Sequence, residues 1–405
     1  MNSGEPRVAA TPSTAMAGEA PSPSGRPVAS RLFLAFLRLG AVAFGGPAMV
    51  VYIGELAVRH RWISREEFSE GVALCQALPG ATAMQAAAYV GLRAAGVRGA
   101  LAAYAGFGLP AAGLMVAASI AYGRLIGLAR IQSGFQVFRA IIVALVANAA
   151  VDVARRHLRS VVDGAVVLGC AAALCLGANP LIVIVAAVAV GLLGRRGAAA
   201  TPANRGMPEF APKTLRTAAL IGTSALVAAA ALLIAAPRLG VLGLVCMKVD
   251  VLAFGGGFAS VPLMFHELVE VRGWLDARTF MDGIALGQIT PGPVVVTATF
   301  VGYRAAGIAG ALVATIGIFL PSFVLVVAVA PWFGRLRSLS WFGPALHGAV
   351  LSFVGLLAFV ALRLGSAVQW SLIHGVIAVL AFAALRAEVG VFWIVLGGVA
   401  VATLL

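Results

Sequence analysis

Charged residues are scarce in this sequence: Asp, Glu, Lys and Arg together make up 11% of its 405 residues. Soluble globular domains contain about 25% charged residues, whereas 61% of this chain is hydrophobic and its mean hydropathy is +1.01. Such a chain cannot hide its apolar surface from water, so lipid must be its solvent. Apolar stretches of about 20 residues, the length that crosses a bilayer core as a helix, recur along the chain. The sequence therefore predicts an all-α polytopic membrane protein.

Residue types that carry enzyme chemistry are also few. The five histidines are scattered without metal-ligand spacing or an HExxH motif, and the four cysteines lie in apolar runs without a CxxC pair. Only two lysines occur, and neither ends a Walker A loop. We therefore expect no cofactor and no direct use of ATP. An integral membrane enzyme is a distant alternative, because no nucleophile or metal cluster can be named.

Acidic residues are outnumbered by basic ones, 15 against 29, which gives a net charge of +14. The cations do not form a soluble basic domain. They lie in short loops between apolar runs, where Lys and Arg set the topology of membrane proteins. We therefore expect a lipid bilayer, and not a nucleic acid, around this chain.

The two halves of the chain are duplicates. "AFGGP" at 43–47 returns as "AFGGG" at 253–257, and "QALPG" at 76–80 returns as "QITPG" at 288–292. Such a tandem repeat is recognised before any fold is assigned. The predicted divisions are a disordered tail (1–30), a first repeat (31–194), a linker (195–214), an extra transmembrane helix (215–236) and a second repeat (237–405). Each repeat has six apolar segments, and together with the extra helix they make about thirteen in total.

The number of crossings decides the orientation of the second repeat. If all thirteen segments span, six spans plus the extra helix insert the second repeat inverted, and a two-to-one bias of Lys and Arg places the N-terminus in the cytoplasm and the C-terminus outside. Segments 71–90 and 283–302 could instead be re-entrant hairpins, which would make the halves parallel. The sequence leaves this choice open.

Each FGG motif predicts a broken helix. Glycine and proline are weak helix formers, and a helix that stops near Phe44 and restarts at Pro47 exposes N–H groups and a positive dipole end that attract anions. Facing breaks in inverted repeats are a known way to form a substrate site at the membrane midplane. Glycines that only permit close helix packing are the alternative. The candidate residues at the breaks are Phe44, Gly45, Gly46, Pro47, Phe254, Gly255, Gly256 and Gly257.

A basic residue precedes each break, Arg38 in the first half and Lys248 in the second. A charge inside the bilayer is costly and is a functional candidate, although Arg38 is close enough to its segment start to reach the surface. The second repeated motif adds glutamine, whose amide donates to an oxyanion without adding charge, or bonds a neighbouring helix backbone. Its candidate residues are Gln76, Pro79, Gly80, Gln288, Pro291, Gly292 and Pro293.

Three acidic residues are candidates for a coupling ion. Asp250 lies in an apolar run where the first half has Gly40, so it could pair with a cation or carry a proton. Glu55 and Glu267 recur at the start of polar connecting stretches, where a solvated interfacial loop is the alternative.

These motifs resemble the chromate ion transporter family, in its long two-domain form. The resemblance rests on "FLRLGAVAFGGPAMV" and "CQALPG" in the first half, and on "KVDVLAFGGGFASVPL" and "LGQITPGPVVVTATFVGYRAAG" in the second. It covers nearly the whole chain after the tail. It implies a multi-pass bacterial inner-membrane protein with antiparallel halves that exports chromate, driven by a proton or ion gradient, and so gives chromate resistance.

Two departures from repeat symmetry matter for that function. The first half has Ala81 where the second has Pro293, and Asp250 stands opposite a glycine, which leaves open whether both halves bind substrate equally. Transport of sulfate or another oxyanion, and a passive anion channel, are the alternatives. Transport direction, the coupling ion and the formation of a homodimer are not given by the sequence.

Overall fold

The structure, a computed structural model, describes residues 27–44, 47–194 and 212–404, and within them it is helical with no strand. Most of the predicted tail and linker, together with Gly45 and Gly46, lies outside the described residues. The helices are α1 (Ala29–Val42), α2 (Pro47–Arg59), α3 (Arg65–Ala77), α4 (Thr82–Leu125), α5 (Ala129–His157), α6 (Val161–Cys175), α7 (Pro180–Gly194), α8 (Pro212–Ala235), α9 (Pro237–Leu252), α10 (Ser260–Phe265), α11 (Ala277–Ile289), α12 (Thr297–Val329), α13 (Phe333–Arg337), α14 (Phe342–Ala367), α15 (Leu372–Arg386) and α16 (Val391–Leu404). The predicted all-α fold is confirmed.

Both FGG motifs interrupt their helices, as predicted. α1 ends at Val42 and α2 begins at Pro47, a residue that fits the first turn because it has no N–H to leave unpaired. In the second half, Gly255 and Gly256 adopt φ angles of 103° and 99°, in the left-handed region that glycine tolerates. A 3₁₀ turn then leads into α10.

The chain folds back at each FGG break instead of continuing across the membrane. Phe36 of α1 stacks on Trp62, which follows α2, with ring centroids 6.0 Å apart. A straight helix would separate these residues by about 40 Å. In the second half, the Nζ atom of Lys248 lies 2.6 Å from Glu267 across the break. We call α1–α2 the first hairpin and α9–α10 the third hairpin.

The Pro-Gly motifs form the tips of two further hairpins. Glu67 at the start of α3 forms an ion pair with Arg93 in the N-terminal part of α4, which we call the first arm of that helix. Gly71 of α3 packs against the ring of Tyr89 in the same arm. Gly283 of α11 packs in the same way against the ring of Phe300 in α12. We call these the second and fourth hairpins. The segments 71–90 and 283–302 therefore fold back as hairpins.

Long helices follow the hairpins. α4 kinks at Ala95 and Gly96, and α12 kinks at Ala306 and Gly307, where the backbone leaves helical geometry. Five described helices are long and apolar enough to cross a membrane, and they include α5, α8 and α14. The shorter apolar helices come in consecutive pairs, α6 with α7 and α15 with α16.

The halves are inverted even though two segments are re-entrant. Because both the FGG segment and the Pro-Gly segment of each half fold back, the number of crossings in each half stays even, and α8 adds one. Folded-back second segments would give parallel halves only if the first segments crossed the membrane, and the first segments fold back too. Contacts agree with this topology: the guanidinium of Arg304, at the end of the fourth hairpin, lies 5.9 Å from the ring centroid of Tyr122, at the end of α4.

The hairpin tips bind the two halves to each other reciprocally. The N–H of Gly80 donates to the carbonyl of Ala253 (2.8 Å), and the N–H of Gly292 donates to the carbonyl of Ala43 (3.0 Å). Gly80 also packs against Ser322 of α12, as Gly292 packs against Ala111 of α4. Each Pro-Gly tip therefore docks on the FGG break of the opposite repeat.

Replacing Gly80 with alanine should destabilise the protein strongly. The residue has a φ of 111°, and an added Cβ would clash with the Ser322 hydroxyl. We expect a free energy of unfolding lower by about 2 kcal/mol or more, from combined backbone strain and overpacking, measured by unfolding in mixed micelles. Gly113→Ala is the control, because Gly113 is helical and an added Cβ meets nothing within 4 Å. Equal stability of the two variants would contradict the docking role of the tip.

Candidate functional site

A cavity of about 980 Å³ connects the hairpin tips to one face of the molecule. Ala43 and Phe44 of the first break, Phe258 beyond the third-hairpin break and Gln288 of α11 line its inner part. Its outer part is lined by residues near the C-terminal ends of α2 and α5 and by the turn between α15 and α16. The cavity thus joins both repeats and extends toward the face on which the first two hairpins begin and end.

The inner end of the cavity offers hydrogen-bond donors. The side-chain Nε2 of Gln288 is buried and has no hydrogen-bond partner among the residues that the structure describes. Ala48, in the first turn of α2, lines the cavity, and the first N–H groups of a helix have no acceptors within it. The ring of Phe44 packs against Phe392 at 5.0 Å between centroids. An unpaired amide donor beside a helix N-terminus suits an anion.

The outer part of the cavity carries charges of both signs. The Nη1 of Arg386 lies 2.6 Å from an oxygen of Asp152, whose other oxygen accepts from Asn148 at 3.0 Å. Arg59 and Arg156 also line the cavity and are exposed. The remaining acidic lining residues are Glu55 and Glu388. An anion entering the cavity therefore passes several arginines before it reaches Gln288.

Sequence reasoning missed the cavity residues of α5 and α15. Asn148 and Asp152 stand in the apolar run "VANAAVDVA", and polar residues in such a run are a signal that was available. Arg386 was treated only as a residue that sets topology. Their proximity depends on α5 packing against α15 of the other repeat, which the sequence does not give.

The two predicted cations lie away from the cavity. Arg38 is exposed on α1 and is not among the lining residues. Lys248 is bound to Glu267, which also forms an ion pair with Arg272. Of the repeated glutamates, Glu267 is therefore neutralised, whereas Glu55 lines the cavity.

The predicted glutamines occupy different environments. Gln288 lines the cavity, whereas Gln76 is exposed and lies outside its lining. Among the other predicted residues, Pro79, Gly80, Pro291, Gly292 and Pro293 are buried at the hairpin tips, while Phe254 packs against Phe353 at 6.5 Å. The structure thus brings together Phe44 and Gln288 from the predicted set.

Asp250 is fully buried at the boundary between the repeats. It accepts hydrogen bonds from the backbone N–H and the hydroxyl of Ser322, at 2.7 and 2.9 Å. In the part of the chain that the structure describes, it has no ion-pair partner. The pairing with a cation that the sequence allowed is therefore not formed here.

The face opposite the cavity is closed by a buried ion pair between the repeats. Arg139 of α5 donates from two nitrogens to Asp282 of α11, both at 2.7 Å, and Tyr122 donates to the same carboxylate at 2.8 Å. The Asp282 side chain is fully buried. The charged residues of the cavity lie near the C-terminal end of α5, and this ion pair links the repeats nearer its N-terminal end.

Comparison with known proteins identifies the family. The sequence model of the chromate transporter family matches residues 30–192 and again 240–403. The chain belongs to the chromate transporter family. An uncharacterized transporter of Methanocaldococcus jannaschii is 39% identical over 85% of this chain and 87% of its own length. A chromate transport protein of Cupriavidus metallidurans is 31% identical over 80% of this chain and 77% of its own.

Another relative, a probable chromate transport protein of Synechococcus elongatus, is 31% identical over 82% of this chain and 83% of its own length. No solved structure matches the chain. Membership of the chromate transporter family confirms the resemblance drawn from the FGG and Pro-Gly motifs. This chain is therefore a multi-pass membrane transport protein and not an enzyme.

Proposed function

We propose that this protein exports chromate from the cytoplasm by alternating access and so gives chromate resistance. The observation that carries this proposal is the cavity lined by residues of both repeats, among them Gln288, whose buried Nε2 donor has no partner among the described residues. Relatives that share about a third of the sequence are named chromate transport proteins. Their similarity supports chromate as the substrate.

A tetrahedral dianion suits the inner end of the cavity. Its oxygens are acceptors only, so they need N–H donors, and the Gln288 amide and the first turn of α2 supply these without a buried counter-charge. Hydrogen bonds to a charged group contribute about 1.5–3 kcal/mol each, more than those to a neutral group. Arg59 and Arg156, at the outer part of the cavity, would raise the local concentration of the anion.

The distribution of cations supports a cavity that faces the cytoplasm. With the four hairpins folded back, the N-terminal side of the chain carries more than twice as many Lys and Arg residues as the other side. This bias supports an N-terminus inside and a C-terminus outside, and we propose the inner membrane of a bacterium as the location. The structure would then represent the state that takes up substrate for export.

Transport by alternating access requires the closed face of the protein to open after the cavity has taken up substrate. The inverted repeats offer a route, because the arrangement of each half can be adopted by the other. The Arg139–Asp282 ion pair would then separate, and the charged groups Arg386 and Asp152 would close the cytoplasmic side. A proton gradient would bias this exchange, with Asp250 as the leading candidate for the coupling group and Glu55 and Glu267 as further ones.

The test is transport by the purified protein in proteoliposomes. We expect radiolabelled chromate to accumulate under an imposed pH gradient and to exchange across the membrane without one. Protein-free liposomes are the control, and unlabelled sulfate in excess tests the second substrate. Dissipation of the chromate gradient with no response to pH would indicate a passive channel. Sulfate accumulation with no chromate movement would overturn the choice of substrate.

A further inference from the structure

A buried oxygen cluster lies at the tip of the second hairpin, behind the cavity. Asp250 accepts from the N–H and the hydroxyl of Ser322, and that hydroxyl accepts in turn from the N–H of Ala81 at 3.3 Å. Asp250 and Ser322 are both fully buried. The carboxylate of the second repeat therefore holds the hairpin tip of the first repeat through a single serine.

The same cluster contains an acceptor that has no donor. Gln85, fully buried in the first arm of α4, donates from Nε2 to the carbonyl of Pro79 at 2.5 Å, while its Oε1 is buried and finds no partner within the described part of the chain. A Cβ atom added to Gly80 would lie 1.9 Å from the Ser322 hydroxyl, 3.0 Å from Asp250 Oδ1 and 3.1 Å from Gln85 Nε2. The carboxylate and the amide group therefore both lie beside Gly80, next to the Ser322 hydroxyl. A carboxylate and an amide oxygen are both acceptors, so neither can donate to the other until a proton is added.

We propose that Asp250 is the site of the coupling proton and that Gln85 Oε1 accepts the hydrogen bond of the protonated carboxyl group. This inference rests on the proposed function, whose driving ion it identifies. A hydronium ion gives its proton to one carboxylate oxygen and becomes water, and no other covalent bond changes. The neutral acid becomes a donor for Gln85 and a weaker acceptor for Ser322. Proton uptake therefore loosens the second hairpin tip from α12.

The titratable groups around Asp250 do not compete with it for this proton. The other titratable groups that face it are Tyr104 of α4 and Cys246 of its own helix, and both side chains are ordinarily neutral at pH 7. The equivalent junction in the other repeat lacks the cluster, since Gly40 and Ala111 replace Asp250 and Ser322. At the place of Gln85, the second repeat has Val296 or Thr297. Each chain thus has a single site of this kind.

The pH profile of chromate transport in proteoliposomes tests the site. Ser322→Ala removes one of the two donors to the carboxylate, the hydroxyl, so it should shift the midpoint of the profile to higher pH. Gln85→Met removes the acceptor for the acid, so it should shift the midpoint to lower pH. Each shift should be about one pH unit, the effect of one hydrogen bond. Asp250→Asn should exchange chromate but lose accumulation driven by a pH gradient. Asp163→Asn, a buried acid bonded to His347, is the control and should keep the wild-type profile.

The proposal would be overturned if Ser322→Ala and Gln85→Met shifted the midpoint of the pH profile in the same direction, or if neither shifted it. Transport that depends on a sodium gradient and ignores pH would also overturn it. Infrared titration provides a readout without transport: a protonated carboxyl band should be present in the wild type, absent in Asp250→Asn, and shifted oppositely along the pH axis in the other two variants. A wild-type protein that moves no chromate but keeps this band contradicts the proposed function and supports the proton site. If Asp250→Asn does not fold, the other two variants decide.

Discussion

Gln288→Leu is expected to lower the rate of chromate transport at limiting substrate by about 10- to 100-fold, as follows from losing a hydrogen bond to a charged group. Leucine has a similar volume but no donor, so the cavity keeps its shape while its buried Nε2 is lost. The measurement is initial uptake of radiolabelled chromate into proteoliposomes at several concentrations. A binding role for Gln288 should appear as a higher concentration for half-maximal transport.

Gln76→Leu is the matched control, because Gln76 holds the equivalent place in the repeat but is exposed and lies outside the cavity lining. Its transport should remain close to that of the wild type. Equal losses in both variants would mean that the glutamines act symmetrically, and the asymmetric cavity would then not be the binding site. No loss in Gln288→Leu would remove Gln288 from the site.

Arg139→Leu is expected to lower the free energy of unfolding by about 3–5 kcal/mol, because it leaves the fully buried Asp282 carboxylate without its cation. Tyr122 alone would remain as a donor to that carboxylate. Unfolding in mixed micelles, followed by helix content, measures the loss. Replacing Arg139 and Asp282 together with leucine should recover most of it, since no uncompensated charge is then buried.

The control for this prediction is Arg363→Leu, which removes one of the partners of Glu270, in an ion pair whose arginine side chain is 55% exposed. Exposed pairs contribute about 0–1 kcal/mol, so this variant should be nearly as stable as the wild type. The ion pair across the closed face would not have the assigned role if Arg139→Leu proved as mild as Arg363→Leu, or if the double variant proved less stable than the single one.

The helical arms and their breaks could be predicted because they depend on local chemistry. Two glycines and a proline weaken a helix wherever they occur, and α1 indeed ends just before Phe44 while α2 begins at Pro47. The path of the chain after each break could not be predicted. Whether a broken helix continues or folds back depends on contacts between arms, such as Phe36 with Trp62, and no local pattern encodes them.

The candidate site was predictable only in part, for a similar reason. A repeated motif marks residues of one type at equivalent positions, so it predicted Gln76 and Gln288 as a pair. The two repeats adopt different arrangements around the cavity, and a single conformation need not expose equivalent residues equally. Arg38 and Lys248 were singled out because charge in a bilayer is costly. Glu267 binds Lys248 and so compensates its charge. The two residues are 19 positions apart in the chain, and only folding brings them together.

The sequence by itself determined that this chain is a helical membrane protein, that its halves are duplicated, that the FGG motifs break their helices, and that it resembles the chromate transporter family. These follow from hydropathy, from repetition and from backbone propensity, all of which are local. The tertiary structure alone decided that the broken segments are hairpins, that Gln288 and not Gln76 lines the cavity, and that Asp250, Ser322 and Gln85 meet. These depend on contacts between residues far apart in the chain, and such contacts exist only once the two repeats have packed together.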